Sequence, residues 1–527
     1  MEKKKLWGAE SILAVAVSGF LAVLFLLNAH LIWEPAGRFL RRETDFQTFV
    51  SELQTSYTEN TAWKDPFVNL SGLFARLTGQ RMCNETIRLN NGMLCYPSDE
   101  QYVYWVGENL VSFCRFLDGK GIPFLYMQAP CKSDTDATLM PVGVEHYANR
   151  DADDFLAYLT QNGVNAFDLR PFFSKTAQQV EETFFRTDHH WTPEAALRAC
   201  PLILEQMDAL LPGQTLDTAN AAFDQWEAHT LEDWFLGSLG KRTGVYYGGV
   251  DDITYYTPRF ETHMSRNVLK HMDFFTGDFV QANMCMEYAQ RRDYFKDSPY
   301  CIYVGGDYPL VQHRNASAPN ELRVLMIKDS FSLPLQCYFS TIFTEVDVID
   351  PRYLENMTVA EYVSLSEPDM VVMMINPIGG LGSQEYAYYG TELEQARQSA
   401  LTGTRTVLAQ GDVVIPMSED GYASKALDAA LEPGKRYTFC CDGVEFPPGS
   451  ATSDGVMAAL YNWDTDCFVT GSFLDVDFVN QTGGFTWRFD VPEQEEGQLQ
   501  LLLYAGVPGQ TQGIELTYRN ASLTLEE

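Results

Sequence analysis

Short apolar strands that alternate with helices constrain the fold of this chain more than any other feature. In the second half of the sequence, the strand-like segments Leu322–Ile327, Glu345–Ile349 and Met370–Ile375 are separated by the helix-like segments Leu333–Phe343 and Val359–Ser366. Strands of a parallel sheet are covered by helices on both faces, so their sequences are apolar almost throughout. The pattern predicts an α/β fold with helices on both faces of a parallel sheet, in which ligands bind at the carboxyl ends of the strands.

The same alternation extends upstream. The strand-like segments Ile122–Gln128 and Val164–Leu169 follow the helix-like segments Glu108–Leu117 and Asp153–Gln161. A further helix is predicted from Thr44, as its cap, to Leu53. The α/β domain is therefore expected to begin well before residue 100.

Two regions depart from this pattern. Residues 213–300 contain many aromatic residues without a clear period, and we interpret them as an insertion that shapes a binding face. After about residue 400 short strands are separated by Gly-rich turns, which is typical of a β-sandwich. Leu431–Phe439 is predicted to be a turn that enters a strand, and further strand candidates are Phe473–Phe478, Gly484–Val491 and Leu499–Tyr504.

The N-terminus has the pattern of a membrane-targeting segment. Lys3, Lys4 and Lys5 precede the uncharged run Ile12–Leu27, and apolar character continues to Trp33. Lysines retained in the cytoplasm would direct the rest of the chain outward. No small-residue cleavage site follows the run, which favours an uncleaved signal anchor over a cleaved signal peptide.

These observations divide the chain into three predicted parts. Residues 1–34 form a cytoplasmic stub and a signal-anchor transmembrane helix, residues 35–398 the α/β domain, and residues 399–527 the β-sandwich. The formal net charge of −34 argues against a nucleic-acid partner, because such a surface repels phosphates. A neutral partner such as a sugar chain is easier to accommodate.

The eleven cysteines have no spacing typical of a metal site. Cys83 and Cys95 flank a turn-rich stretch and could close a small loop by a disulfide. The alternative for most of the cysteines is a buried free thiol that acts as a small apolar side chain.

Two short motifs carry residues with catalytic potential. The first is Thr187–Trp191 (TDHHW), after which Thr192 can cap a helix that begins at Pro193. The second is Lys328–Phe331 (KDSF), directly after an apolar strand. Ser330 is thereby placed at the carboxyl end of a parallel strand and at the start of a helix, where backbone N–H groups stabilise a developing oxyanion.

A serine becomes a strong nucleophile when a histidine takes its proton and an acid orients that histidine. Asp188 and His190 can supply both functions if their loop packs against Ser330. The alternatives are that Ser330 only caps the next helix, that His189 is the base, or that Asp188, His189 and His190 bind a metal. Asp329 is expected to hold the turn of the nucleophile, and Trp191 to pack in the core.

TDHHW, followed about 140 residues later by a strand and KDSF, resembles the bacterial DHHW-type proteins. These are relatives of the SGNH-like O-acetyltransferases that modify alginate and other exopolysaccharides. The segment Tyr303–Leu310 (YVGGDYPL) is also similar, and the resemblance covers roughly residues 95–390. It implies a triad of Ser330, His190 and Asp188, a serine acetyl-enzyme and no cofactor.

The resemblance also implies an extracytoplasmic acetyltransferase of the cell envelope. The acceptor would be a cell-surface or exported polysaccharide, and a polytopic, MBOAT-like membrane acyltransferase would supply the acetyl group. Gly306 and Tyr308 are candidates for oxyanion or substrate contacts. A carbohydrate acetylesterase and a non-catalytic glycan-binding scaffold are the alternative functions.

The β-sandwich resembles a carbohydrate-binding module. Trp463, Trp487 and Tyr504 can stack on sugar rings, although residues at strand spacing belong to the core as readily.

Overall fold

A computed structural model describes residues 9–211, 213–268, 273–355, 357–416, 423–449, 455–506 and 515–527. Two sheet systems organise these residues: an eight-stranded sheet in the first 400 residues and a two-sheet sandwich after them.

The helices, in chain order, are α1 Ala9–Asn28, α2 Trp33–Leu40, α3 Phe46–Asn60, α4 Lys64–Leu77, α5 Val103–Asp118, α6 Ala148–Gln161, α7 Arg170–Phe173, α8 Ala177–Thr183, α9 Pro193–Leu210, α10 Ser238–Thr243, α11 Val245–Gly248, α12 Phe279–Asn283, α13 Glu287–Gln290, α14 Leu333–Phe339, α15 Val359–Ser366, α16 Pro377–Gly380, α17 Thr391–Ala400 and α18 Val476–Gln481.

The strands are β1 Met82–Cys83, β2 Thr86–Arg88, β3 Leu94–Cys95, β4 Phe124–Gln128, β5 Ala166–Asp168, β6 Trp226–Phe235, β7 Asp251–Pro258, β8 Met264–Val268, β9 Asp273–Gly277, β10 Leu310–Arg314, β11 Asn320–Lys328, β12 Phe343–Ile349, β13 Met370–Ile375, β14 Arg405–Ile415, β15 Ala423–Ala426, β16 Arg436–Cys441, β17 Gly443–Glu445, β18 Gly455–Asn462, β19 Cys467–Asp475, β20 Phe485–Asp490, β21 Leu499–Ala505 and β22 Leu516–Glu526.

The central sheet has the order β5-β4-β13-β11-β12-β10-β8-β9. The five strands from β5 to β12 are parallel, and β10, β8 and β9 extend them in antiparallel orientation. Alternate residues of β11 enter different cores, since Met326 packs with α9 and α14 whereas Ile327 packs with α5 and α15. Burial on both faces explains the uniformly apolar strands, and the predicted α/β fold is confirmed.

Residues 213–300 contribute to the central sheet and are not simply an insertion. Strands β8 and β9 form its antiparallel edge, while β6 and β7 pair as a separate hairpin. Strand β8 was not recognised because Ser265, Arg266 and Asn267 are polar although they are buried. Because these three side chains are polar, the segment lacks the apolar pattern by which a strand is recognised.

The C-terminal region forms a sandwich of two antiparallel sheets, as predicted. One sheet has the order β14-β22-β16-β20 with β17 beside β22, and the other has the order β15-β21-β18-β19. Apolar side chains such as Phe439 and Leu501 fill the space between them. The predicted strand Phe473–Phe478 is wrong at its end, because Asp475 accepts the Phe478 N–H at 3.0 Å and caps α18.

Two further expectations need correction. The helix predicted from Thr44, as its cap, to Leu53 is capped instead by Asp45, which accepts the Thr48 N–H at 2.7 Å, and it begins at Phe46 and continues to Asn60. Cys83 and Cys95 are both free thiols. They lie on β1 and β3, with β2 between them, and strands two positions apart are about 10 Å from each other, beyond the reach of a disulfide.

The N-terminal apolar helix is present. Helix α1 is largely exposed, and the segment Leu13–Leu40 is long and apolar enough to cross a membrane by length and composition. The preceding Lys3, Lys4 and Lys5 lie outside the described residues.

Candidate active site

Ser330 lies where β11 ends and the chain turns into α14. The turn Ser330–Ser332 is a single 3₁₀ segment, and its first backbone N–H groups lack intrahelical acceptors. Asp329 fixes this turn with both carboxylate oxygens, since Oδ1 accepts the Phe331 N–H at 2.9 Å and Oδ2 accepts the Asn376 N–H at 2.6 Å. The serine turn is thereby attached to the end of the neighbouring strand β13.

The loop between α8 and α9 brings Asp188 and His190 to this serine. His190 Nε2 lies 2.7 Å from Ser330 Oγ, and His190 Nδ1 lies 2.5 Å from Asp188 Oδ1. Thr192 caps α9 by accepting the Ala195 N–H at 3.2 Å, and this cap fixes the end of the loop that joins α9. The three residues singled out in the sequence therefore form one hydrogen-bonded line.

The Asp188 carboxylate is buried and fully hydrogen-bonded. Oδ1 also accepts the His190 backbone N–H at 2.9 Å, and Oδ2 accepts the Ser238 N–H at 2.6 Å. Burial alone would raise the pKa of Asp188, but the neighbouring imidazoles and these hydrogen bonds outweigh it and hold the pKa well below the ordinary value. Asp188 is therefore ionised at neutral pH and can stabilise an imidazolium.

His189 bonds to Ser238, whereas His190 bonds to Ser330. The His189 Nδ1 lies 2.9 Å from Ser238 Oγ, and burial lowers the pKa of His189 to about 3. The ring therefore stays neutral at physiological pH. This geometry favours His190 over His189 as the partner of the serine.

Existing hydrogen bonds compete with the alternative that Asp188, His189 and His190 bind a metal ion. Ligand atoms of Asp188, His189 and His190 lie within 4.8 Å of one another. The Asp188 oxygens already accept N–H groups from His190 and Ser238, so a metal ion would have to displace these hydrogen bonds. The arrangement fits an acid–base pair better than a ligand set.

Tyr300 and Trp191 hold the serine turn against the histidine loop. The Tyr300 ring stacks on His190 at a centroid distance of 4.2 Å, and its hydroxyl donates to the Phe331 carbonyl at 3.0 Å. The same carbonyl accepts the Trp191 Nε1–H at 2.7 Å. Trp191 is fully buried, as expected for a core residue. Tyr300 lies in the aromatic stretch without a period, so no motif pointed to it.

A buried lysine holds the same loop by hydrogen bonds to its backbone. Lys132 Nζ donates to the carbonyl oxygens of Arg186, at 3.1 Å, and of Asp188. Burial lowers the pKa of Lys132 to about 8. Asp251 accepts the Thr187 N–H at 2.8 Å, so the loop is tied on two sides. Lys132 and Asp251 are distant in sequence and belong to no motif.

Asn376 is another residue of the site that no motif indicated. It directly follows β13, whose Met374 pairs with Lys328 of β11, so Asn376 and Ser330 share the carboxyl edge of the sheet. Its Oδ1 accepts the Ile378 N–H at 2.9 Å, which leaves the amide NH₂ for another acceptor. An asparagine directly after the strand Met370–Ile375 was the available signal.

Gly306 and Tyr308 lie on a loop joined to the same edge through Lys328. Between them, Asp307 forms ion pairs with Lys328 and with Arg352, the latter at 3.1 Å. Gly306 adopts a φ of 146°, and a Cβ there would meet no atom within 4 Å. The space beside the Gly306 Cα is therefore open, whereas Tyr308 is half-buried against the core.

Residues 96–244 match the model of a protein family described as the SGNH hydrolase-like domain of acetyltransferase AlgX. This region is thus similar to an SGNH-like acetyltransferase domain, and the resemblance noted in the sequence is confirmed over these residues. The matched region contains Asp188 and His190 but ends before Ser330. No curated protein matches the chain.

Several solved structures are similar in overall arrangement. Bacillus cereus PatB1 is 18% identical with a TM-score of 0.47, over 56% of this chain and 97% of its own. A DHHW family protein from Eubacterium siraeum is 18% identical with a TM-score of 0.43, over 58% and 95%. Pseudomonas aeruginosa AlgX is 13% identical with a TM-score of 0.34, over 84% and 94%.

Proposed function

We propose that this chain, with its region similar to an SGNH-like acetyltransferase domain, transfers acetyl groups to a polysaccharide outside the cytoplasmic membrane through an acetyl-Ser330 intermediate. The observation that carries the proposal is the line of hydrogen bonds from Ser330 Oγ through the His190 ring to Asp188, at 2.7 and 2.5 Å. This geometry supplies a nucleophile, a base in contact with it and an ionised acid that orients the base.

In the first half-reaction, Ser330 Oγ attacks the acetyl carbonyl while His190 Nε2 takes the hydroxyl proton. The bond between the acetyl group and the donor breaks, and His190 returns the proton to the leaving oxygen. In the second, a sugar hydroxyl gives its proton to His190 and attacks the carbonyl of acetyl-Ser330. The ester bond to Ser330 Oγ breaks, His190 returns the proton to that oxygen, and the acetylated glycan is released. Asp188 stays ionised throughout, in keeping with its lowered pKa.

The tetrahedral intermediate of each step carries a negative oxygen that needs hydrogen-bond donors. The Ser330 backbone N–H and the Asn376 side-chain amide lie at the same sheet edge, and the Gly306 backbone is a third candidate. Tyr308, on the same loop as Gly306, is the candidate for substrate contact. No cofactor takes part in this scheme.

The glycan acceptor has a candidate platform on the sandwich. Trp463 is 46% exposed, and the Tyr461 ring lies 5.0 Å from it and 5.2 Å from Phe468. Exposed aromatic rings of this kind stack on sugar faces. Of the other two candidates, Tyr504 is buried and Trp487 is packed on Phe489 at 4.3 Å. Trp463 is therefore the residue through which the sandwich would hold the polysaccharide.

The proposed membrane topology determines where the acetyl donor has to act. With α1 as a single-pass anchor, the α/β domain and the sandwich lie on the extracytoplasmic side, where activated acetyl groups have to be delivered across the membrane. A polytopic, MBOAT-like acyltransferase is the proposed supplier.

The first test is mass spectrometry of the full-length chain in detergent after incubation with a small activated acetyl ester. An acetyl group should appear on Ser330, and Ser330→Ala and His190→Ala should each lower ester turnover by about 1000-fold or more. Ser317→Ala, which changes an exposed serine on a loop, is the matched control. Equal labelling of Ser330→Ala, or no labelling of the folded wild-type chain, would contradict the proposal and favour a glycan-binding scaffold.

Addition of candidate polysaccharides then separates the two enzymatic alternatives. A transferase moves the acetyl group to the glycan, whereas a carbohydrate acetylesterase releases acetate whether or not glycan is present. The ratio of acetylated glycan to free acetate is the measurement.

A further inference from the structure

Helix α4 exposes a continuous apolar face. Trp63 precedes α4 as its N-cap residue, and Phe67, Leu70, Phe74 and Leu77 follow at intervals of three and four residues, which places these four on one side of the helix. The five residues are 46, 38, 62, 63 and 77% exposed, respectively. Isolated apolar residues are common on protein surfaces, but five along one helix and its cap mark an interaction surface.

The opposite face of α4 is fixed to the α/β domain. A Cβ on Gly72 would lie 1.8 Å from the Thr243 carbonyl oxygen, so the two backbones are in direct contact. Asn69 Oδ1 accepts the Val245 N–H at 2.8 Å, and Ala75 packs in a small core with Leu239 and Tyr247. The helix is therefore a rigid part of the domain, and its apolar face has a fixed direction.

This apolar face continues onto the segment that is apolar enough to cross a membrane. The Phe20 ring of α1 lies 6.1 Å from the Trp63 ring and 6.1 Å from the Phe67 ring. Phe20 is itself within the candidate span Leu13–Leu40. The surface of α4 and the exposed surface of α1 are thus contiguous.

We infer that the apolar face of α4 lies in the surface of the lipid bilayer that α1 crosses, an inference that rests on the proposed membrane anchoring. The continuity with α1 favours lipid over a soluble protein, since whatever surrounds α1 at Phe20 also reaches Trp63 and Phe67. An amphipathic helix in the membrane interface buries its apolar face among the acyl chains and keeps its polar face outside. Here the polar side is occupied by the protein itself.

The docking has a consequence for the active site. Helix α10, against which α4 packs, begins at Ser238, whose N–H donates to Asp188. One short helix therefore connects the membrane-facing surface to the carboxylate of the triad. With α4 in the bilayer surface and α1 crossing it, the α/β domain has two attachments, and its orientation toward a membrane-borne acetyl donor is fixed.

Photocrosslinking of the full-length chain in phosphatidylcholine nanodiscs and in cell membranes tests the inference. Benzoylphenylalanine is placed at Leu70 or Leu77, and at Val407, an exposed apolar residue of the sandwich, as the matched control. We expect lipid adducts at Leu70 and Leu77 at least about fivefold more abundant than at Val407. Adducts with a second copy or another protein, or lipid adducts no more abundant than at Val407, would overturn the inference.

A double variant, L70E with L77E, makes the test independent of probe position. Both side chains are exposed, so the thermal unfolding midpoint should not change. Lipid adducts from benzoylphenylalanine at Phe74 should fall several-fold in this variant, while hydrolysis of a soluble acetyl ester is unaffected. Unchanged adducts would overturn the inference, whereas failure of ester hydrolysis in the wild type would count only against the proposed activity.

Discussion

At the scale of single residues, the Phe331 carbonyl is the point where two parts of the site are joined. It accepts hydrogen bonds from Tyr300 and Trp191, and the Tyr300 ring also stacks on His190. The hydroxyl and the ring of Tyr300 thus have separate effects, because the Trp191 bond remains when the hydroxyl is removed.

Two substitutions of Tyr300 separate these effects. Tyr300→Phe removes one hydrogen bond, should lower stability by about 1 kcal/mol and should leave kcat within a few-fold. Tyr300→Leu also removes the ring that holds His190 in plane, and we expect kcat to fall by about tenfold or more. Ester turnover and thermal unfolding of both variants are the measurements, and equal kcat values would contradict a positioning role for the ring.

Asn376 is tested by a pair of variants that differ in one function. Asn376→Ala removes both the amide and the oxygen that accepts the Ile378 N–H, whereas Asn376→Ser keeps an oxygen near that N–H but lacks the NH₂ group. If the amide stabilises the oxyanion, kcat should fall by about 100-fold in both, with little change in KM. Full activity of Asn376→Ser would instead mean that Asn376 only caps the turn.

At the scale of secondary-structure elements, the start of α10 is packed so closely on the histidine loop that it tolerates no side chain. A Cβ on Gly237 would lie 2.3 Å from the Asp188 Cβ, although the φ of Gly237, −69°, is open to any residue. Gly237→Ala should therefore displace Asp188, lower kcat by about tenfold or more and destabilise the fold by about 1–3 kcal/mol.

Gly119→Ala is the matched control for this prediction. Its Cβ would meet the Phe116 carbonyl oxygen at 3.4 Å, an ordinary contact, at a φ of −60°. Kinetics and thermal unfolding of both variants are measured together. A Gly237→Ala enzyme as active as Gly119→Ala would show that the Asp188 loop can shift without loss.

The elements that could be predicted from the sequence are those that a pattern of neighbouring residues defines. Strands β11 and β13 were recognisable because both faces are buried, and the Ser330 and His190 motifs because they adjoin a strand end or a helix cap. Strand β8 was not, because its buried polar side chains make hydrogen bonds where an ordinary strand has apolar contacts. Tyr300 and Lys132 approach the site only through the tertiary fold, so no sequence spacing could reveal them.

At the scale of the whole molecule, a network of charges joins the α/β domain to the sandwich. Arg436 of β16 binds Glu394 of α17 at 3.2 Å and Asp490 of β20 at 2.9 Å. Arg397 of α17 binds Asp490 at 2.7 Å and Glu361 of α15 at 3.2 Å. Glu361 and Asp490 are thus two carboxyl groups from different parts of the molecule that share one arginine.

This contact should respond to pH. Burial, then the hydrogen bond and charge of Asp490, raise the pKa of Glu361 from 4.5 to about 7, against the opposing effect of Arg397. A carboxyl group whose folded-state pKa is raised adds stability that is fully present below pH 4.5 and is lost as the pH rises through 7. The contact between the two parts is therefore expected to be tighter in mildly acidic solution.

Glu361→Gln tests this expectation because glutamine stays neutral and can still donate a hydrogen bond to Asp490. The variant should unfold at the same temperature as the wild type near pH 4.5 and be more stable by about 1 kcal/mol at pH 8. Glu392→Gln, an exposed change on α17, is the control. A stability difference for Glu361→Gln that does not vary with pH would contradict the assignment.

The sandwich begins and ends at one place. Its first strand β14 and last strand β22 pair in antiparallel fashion, and Thr404 and Glu527 exchange backbone hydrogen bonds of 3.1 and 2.8 Å. The first and last residues of the sandwich therefore lie next to each other. A domain whose two ends are adjacent can be inserted into a surface loop of another protein without distorting that loop. A reporter fused after Glu527 would lie next to Thr404, where the sandwich follows the α/β domain.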